Sequence, residues 1–107
     1  MKKKLIVKNN RDFDEIIKNG ICNKNQSFIV HNRSNNLSYD RYGISVSKKL
    51  GNAVFRNKYK RKIRAIIDIY KKDYINNKDY IIILRKGALN KSFDILKKEL
   101  FDLLVQK

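Results

Sequence analysis

The segment from Ala53 to about Lys72 constrains this chain more than any other, because one helical period carries two incompatible faces. At 100° per residue, Phe55, Tyr59, Ile63, Ile66, Ile67 and Tyr70 fall on one wide apolar stripe, while Asn57, Lys60, Arg61 and Arg64 cluster elsewhere. A helix of this kind must bury its stripe against another layer and leave its cations in water. Asn52 stands where an N-cap belongs, directly after Gly51.

The flanking sequence supplies that layer. Phe28-Ile29-Val30, within Ser27 to Asn32, reads as a strand, and a polar turn follows from Arg33 to Ser38. From Asp40 to Ser47, Tyr42, Ile44 and Val46 alternate with Arg41, Gly43 and Ser45, the period of a second strand. Tyr80-Ile81-Ile82-Ile83-Leu84 is too short for an ordinary helix and suits a buried, central strand. Asn9-Asn10 is placed to cap a first helix, with Asp12 in its first turn, Phe13, Ile16 and Ile17 on one face, and Gly20 as a C′ residue. Ser92 is placed to cap a last helix whose apolar face is Phe93, Leu96, Leu100, Leu103 and Leu104. The pattern predicts an α/β chain in which three helices protect a small sheet.

At 107 residues, one domain over 1–107 is expected, and no apolar run approaches a membrane span. The start, Met1 to Lys8, is basic like a signal n-region, but its apolar run ends after three residues, so a cytoplasmic location is expected and no membrane partner. Lys and Arg total 26 against 10 Asp and Glu, a net charge of +16, which points to a polyanionic partner, nucleic acid first.

Protein-based catalysis finds little support. One cysteine, Cys22, and one histidine, His31, exclude an internal disulfide and a Cys/His zinc cluster. Hydrolysis of a phosphodiester by a protein usually needs convergent carboxylates on divalent ions. Asp12, Asp14 and Glu15 form the densest acidic group, and compensation of a helix N-terminus accounts for them.

The informative stretch runs from Gly43 through Ser47-Lys48-Lys49-Leu50-Gly51-Asn52-Ala53-Val54-Phe55-Arg56-Asn57-Lys58-Tyr59-Lys60-Arg61 to Arg64. It joins a strand, a glycine-containing turn and a cationic helix on which Arg56, Lys60 and Arg64 recur every four residues, a placement suited to phosphates and base edges. The competing reading is a merely solvated cationic face. This ordered signature resembles that of the protein component of bacterial ribonuclease P, with its Ser-Lys-Lys, Gly-Asn-Ala-Val, Arg-Asn-Arg, Lys-Arg and further Arg. The resemblance extends through the first helix, Phe28-Ile29-Val30, Asp79 to Ile83 and the final helix, so it covers nearly the whole chain.

The resemblance implies an α-β-β-β-α-β-α sandwich, which adds a short strand that periodicity does not mark. It also implies a left-handed crossover, against the ordinary right-handed prior. The implied activity is endonucleolytic removal of the 5′ leader from precursor tRNA by a catalytic RNA that this chain assists. Lys48, Lys49, Arg56, Asn57, Lys58, Lys60, Arg61 and Arg64 are then the residues that bind the ribonuclease P RNA. Phe13, Phe28 and His31 are the residues that meet the precursor leader, by stacking or hydrogen bonding. A core role for Phe13 and Phe28 competes with that assignment. No catalytic residue, no tightly held cofactor and no obligate protein partner are implied for the protein; magnesium is expected in the holoenzyme, held mainly by RNA.

The sequence departs from the family pattern in four places. Lys58 replaces the second Arg of Arg-Asn-Arg, keeping charge but not the planar fork. Ala65 replaces a common Glu or Gln, Ile17 a second aromatic, and His31 a common Tyr. Two other classes remain in competition: a ribosomal or other structural RNA-binding protein, and a DNA-binding regulator that uses the basic helix.

Overall fold

Each helix begins where a side chain can receive its first free amides. In the computed structural model, which describes residues 5–7 and 9–105, the order is α1 (Asn10–Asn19), β1 (Ile21–Lys24), β2 (Phe28–Ser34), β3 (Arg41–Ser45), α2 (Ala53–Tyr70), β4 (Lys78–Leu84) and α3 (Phe93–Leu104). This is the element order that the family resemblance implies. The Asn9 side chain accepts from the Arg11 amide at 2.8 Å, Asn52 from Phe55 at 2.9 Å and Ser92 from Ile95 at 3.3 Å. Gly20 serves a different purpose from the one expected. Its φ is −86°, so no left-handed cap forms; a Cβ there would instead strike the backbone oxygens of Asn32 and Ile16.

The four strands lie in the order β1-β2-β4-β3. β2 pairs antiparallel with both β1 and β4, whereas β3 runs parallel to β4 and reaches it through α2. β4, the most continuously apolar strand, is therefore interior, as its composition requires. β1 is the strand that periodicity missed: four largely exposed residues at a sheet edge leave no alternation to read.

Strand alternation sorts side chains onto two unequal faces. Phe28, Val30, Tyr80, Ile82 and Leu84 join Tyr59, Ile63, Ile66, Ile67 and Tyr70 of α2 and Leu96, Leu100 and Leu104 of α3 in the main core. The opposite face holds a small cluster of Val7, Ile16 and Ile81, with Phe13 and Ile83 against it. Two helices seal the first face. α1 alone covers the second, and Ile29, His31 and Ile83 there remain partly exposed.

Buried ionic groups fix the strand ends. Asp79 is 1 % exposed and receives both Nε and Nη2 of Arg41, at 2.8 and 2.6 Å, with Asn35 at 3.0 Å and Arg33 at 3.8 Å. Burial alone would raise the Asp79 carboxyl, but these donors outweigh it and hold it below the usual carboxylate value. At the same end of the α2–β4 connection, just before Asp79, Asp40 accepts from the backbone amides of Asn76 and Lys78, and Asn76 donates to the hydroxyls of Tyr70 and Tyr80.

Candidate nucleic-acid interface

The half-covered face is organised in rows across the sheet. Register places Cys22 of β1 opposite His31 of β2, His31 opposite Ile81 of β4, and Ile81 beside Gly43 of β3. The Phe13 ring comes down from α1 over Gly43: a Cβ there would lie 2.5 Å from Phe13 Cζ and 2.8 Å from Ile81 Cδ1. Phe13 and His31 therefore border one surface, two strands or about 10 Å apart, with Ile81 between them. A parallel row runs Lys24, Ile29, Ile83 and Ser45. The ionic group of Arg33, Asp79 and Arg41 closes one end of the face, where Glu15 of α1 also holds Arg33 at 3.1 Å.

His31 is partly buried, and desolvation lowers its pKa, so the neutral ring predominates at pH 7. Its Nδ1 is buried without a hydrogen-bond partner in the protein. Ile17, one turn beyond Phe13, is 41 % exposed. Phe28 is elsewhere. It points to the other side of β2, is 0 % exposed and sits in the main core, so its expected contact with a leader is withdrawn: no base can reach a ring sealed beneath α2 and α3. Phe28 and His31 belong to one strand, but an odd residue separation puts them on opposite faces.

The cationic residues lie on and just before α2. Ser47 caps a single 3-10 turn that presents Lys48 and Lys49, both exposed. On the helix, Asn57, Lys58, Arg61 and Arg64 are exposed, and Arg56 and Lys60 are half-buried. Among the described residues none of these cations forms an ion pair, while Arg33, Arg41, Lys71 and Lys91 do. The charge most concentrated in sequence is thus left unneutralised, as a surface for phosphates requires.

The two sets of residues meet at the outer edge of β3. There a cavity of about 230 Å³ is lined by Val7, Phe13, Gly43 and Ile44 together with Lys60 and Arg64. An aromatic ring from α1 and two cations from α2 share one opening, although they come from opposite faces of the sheet.

The family model for ribonuclease P matches residues 1–107. This chain belongs to the ribonuclease P protein family. A ribonuclease P protein component from Mesoplasma florum is 45 % identical over 111 residues, covering 99 % of this chain and 97 % of the relative. The RNase P protein of Staphylococcus aureus superimposes with a TM-score of 0.85 at 40 % identity, covering 94 % of this chain and 92 % of that one. The RNase P protein from Thermotoga maritima gives a TM-score of 0.86 at 34 % identity, covering 92 % and 93 %.

No group of three His, Cys, Asp or Glu side chains converges among the described residues, and no helix there is long and apolar enough to cross a membrane. Cys22 was not anticipated on this face. Only the presence of β1 turns it toward His31, and four residues without alternation gave no signal of that strand.

Proposed function

We propose that this chain is the protein subunit of a cytoplasmic ribonuclease P and assists the catalytic RNA in removing the 5′ leader of precursor tRNA. The whole chain acts as one RNA-binding domain. One observation supports a division of labour: Phe13 and the cations Lys60 and Arg64 line a common cavity, so an aromatic surface for unpaired bases runs directly into an unneutralised cationic helix. The 3-10 turn with Lys48 and Lys49, and the helix positions Arg56, Asn57, Lys58 and Arg61, engage the catalytic RNA. The leader crosses the half-covered sheet face, where Phe13 stacks on a base and neutral His31 hydrogen-bonds or stacks. Lys60 and Arg64 engage the catalytic RNA with the rest of the helix and also attract the leader backbone where the two RNAs converge.

The chain supplies positioning and charge compensation rather than a nucleophile. Magnesium, held mainly by RNA, supplies the chemistry that activates water and stabilises the leaving oxygen. The test is reconstitution. Purified protein with magnesium should leave precursor tRNA intact, and addition of the matching RNA should give cleavage at the mature 5′ junction. Reproducible cleavage by protein alone, with contaminating nuclease excluded, overturns the division of labour.

A further inference from the structure

A second pocket lies farther along the same edge of the molecule, beyond the leader face. It has a volume of about 410 Å³ and is lined by Tyr39, Tyr42, Tyr74 and Ile75, with Lys71 and Lys72 from the end of α2. Three features distinguish it from an ordinary surface hollow. First, Tyr42 is 1 % exposed, yet its hydroxyl has no hydrogen-bond partner in the protein. The neighbouring hydroxyls of Tyr70 and Tyr80 are both satisfied by Asn76, so Tyr42 alone of the three carries the cost of an unmade bond.

Second, the walls combine aromatic and apolar surface that remains accessible: Tyr74 is 40 % and Ile75 65 % exposed. Tyr74 is held by stacking on Tyr70, with centroids 4.7 Å apart and planes 16° apart, so its ring is already oriented. Third, the charge is positive. Lys71 leans on Asp68 at 3.1 Å, whereas Lys72 is exposed and forms no ion pair among the described residues. Asp40, the acid at the pocket, is occupied by the amides of Asn76 and Lys78. Lys71 caps α2 and Lys72 follows it, seven and eight residues beyond Arg64, so they add positive charge at the end of the helix that carries Arg56, Lys60 and Arg64.

From these features we infer that the pocket takes one unpaired nucleotide of an RNA strand, its base against the exposed Tyr74 ring and Ile75, its phosphate at Lys72 and Lys71. Every base has a face for aromatic contact, which the exposed Tyr74 ring can meet. The volume lies within the usual range for small-ligand pockets. Naming RNA as the source rests on the reading of the cationic stripe above; the pocket itself does not.

The test uses the full chain, ¹⁵N-labelled, titrated with AMP, with inorganic phosphate and with a single-stranded ten-nucleotide oligoadenylate. AMP should shift the amides of Tyr39, Lys72, Tyr74 and Ile75 saturably, inorganic phosphate should not, and the oligonucleotide should displace AMP. Tyr74→Ala should weaken AMP about tenfold through lost stacking. Lys72→Ala should weaken it about threefold with an unchanged thermal midpoint, because Lys72 is exposed and forms no ion pair among the described residues. AMP shifts confined to Arg56 through Arg64, equal affinity in wild type and both variants, or phosphate matching AMP would each overturn the site. Failure of the oligonucleotide to displace AMP would overturn RNA as the occupant. None of these readouts involves cleavage, so they fail independently of the proposed function.

Discussion

Phe13 rests on Gly43: the ring of the first helix occupies the space in which any other residue of β3 would carry its Cβ. This contact sets how far α1 stands from the sheet and which part of the ring borders the leader face. Gly43→Ala places a carbon 2.5 Å from Phe13 Cζ, so the ring must move. Chemical denaturation should show a loss of about 1–3 kcal/mol from overpacking. Affinity for leader-bearing precursor should fall more than affinity for mature tRNA when the variant is assembled with its RNA. Equal losses for the two substrates would detach Phe13 from leader binding.

Phe13, His31 and Phe28 should separate experimentally although they were all expected to touch the leader. Phe28→Ala removes a ring that is 0 % exposed and should cost about 3–5 kcal/mol of folding stability. Phe13→Ala and His31→Ala should act selectively on leader-bearing RNA, with Phe13 contributing about 1 kcal/mol. Matched binding measurements with and without a leader, after thermal unfolding of each variant, decide the matter. Stable Phe28→Ala protein with a leader-specific defect would restore the original assignment.

Replacing Arg56, Arg61 and Arg64 together with Ala should weaken association with the ribonuclease P RNA. The slope of log affinity against log salt should become shallower by about 2–3, on the order of one released counterion per lost phosphate contact. None of the three forms an ion pair among the described residues, so folding should survive; circular dichroism checks that it does. An unchanged salt slope in folded protein would remove these arginines from the interface.

Acid should weaken the fold through the Asp79 group. Its folded pKa lies below the unfolded carboxylate value, so the stabilisation is complete above about pH 4 and is lost as pH falls toward the folded value. Asp79→Asn should cost about 2 kcal/mol at neutral pH, less than a fully buried pair because Arg41 is 25 % exposed. The variant should also lose part of the stability decline that wild type should show below about pH 4 in urea titrations. Parallel acid limbs would mean that other carboxylates govern it.

Local pattern was enough to place every helix and three of the four strands. The reason is that caps and periodicity are properties of neighbouring residues: Asn52 followed by the Tyr59, Ile63, Ile66, Ile67 and Tyr70 stripe reads as a buried helix face before any partner is known. The cationic set was legible for the same reason, since i+4 spacing alone aligns Arg56, Lys60 and Arg64. Tertiary structure decided what depends on pairing. It showed β1 through its ladder to β2, and with it the position of Cys22 beside His31. It turned Phe28 into the core and His31 to the open face, which alternation separates but cannot orient until the helices choose their sides. It also brought Phe13 to Lys60 and Arg64, residues about fifty positions apart, because β3 is an edge strand and both α1 and α2 reach around that edge. Sequence determined which surfaces exist, through short-range periodicity; only long-range strand order determined which of them meet.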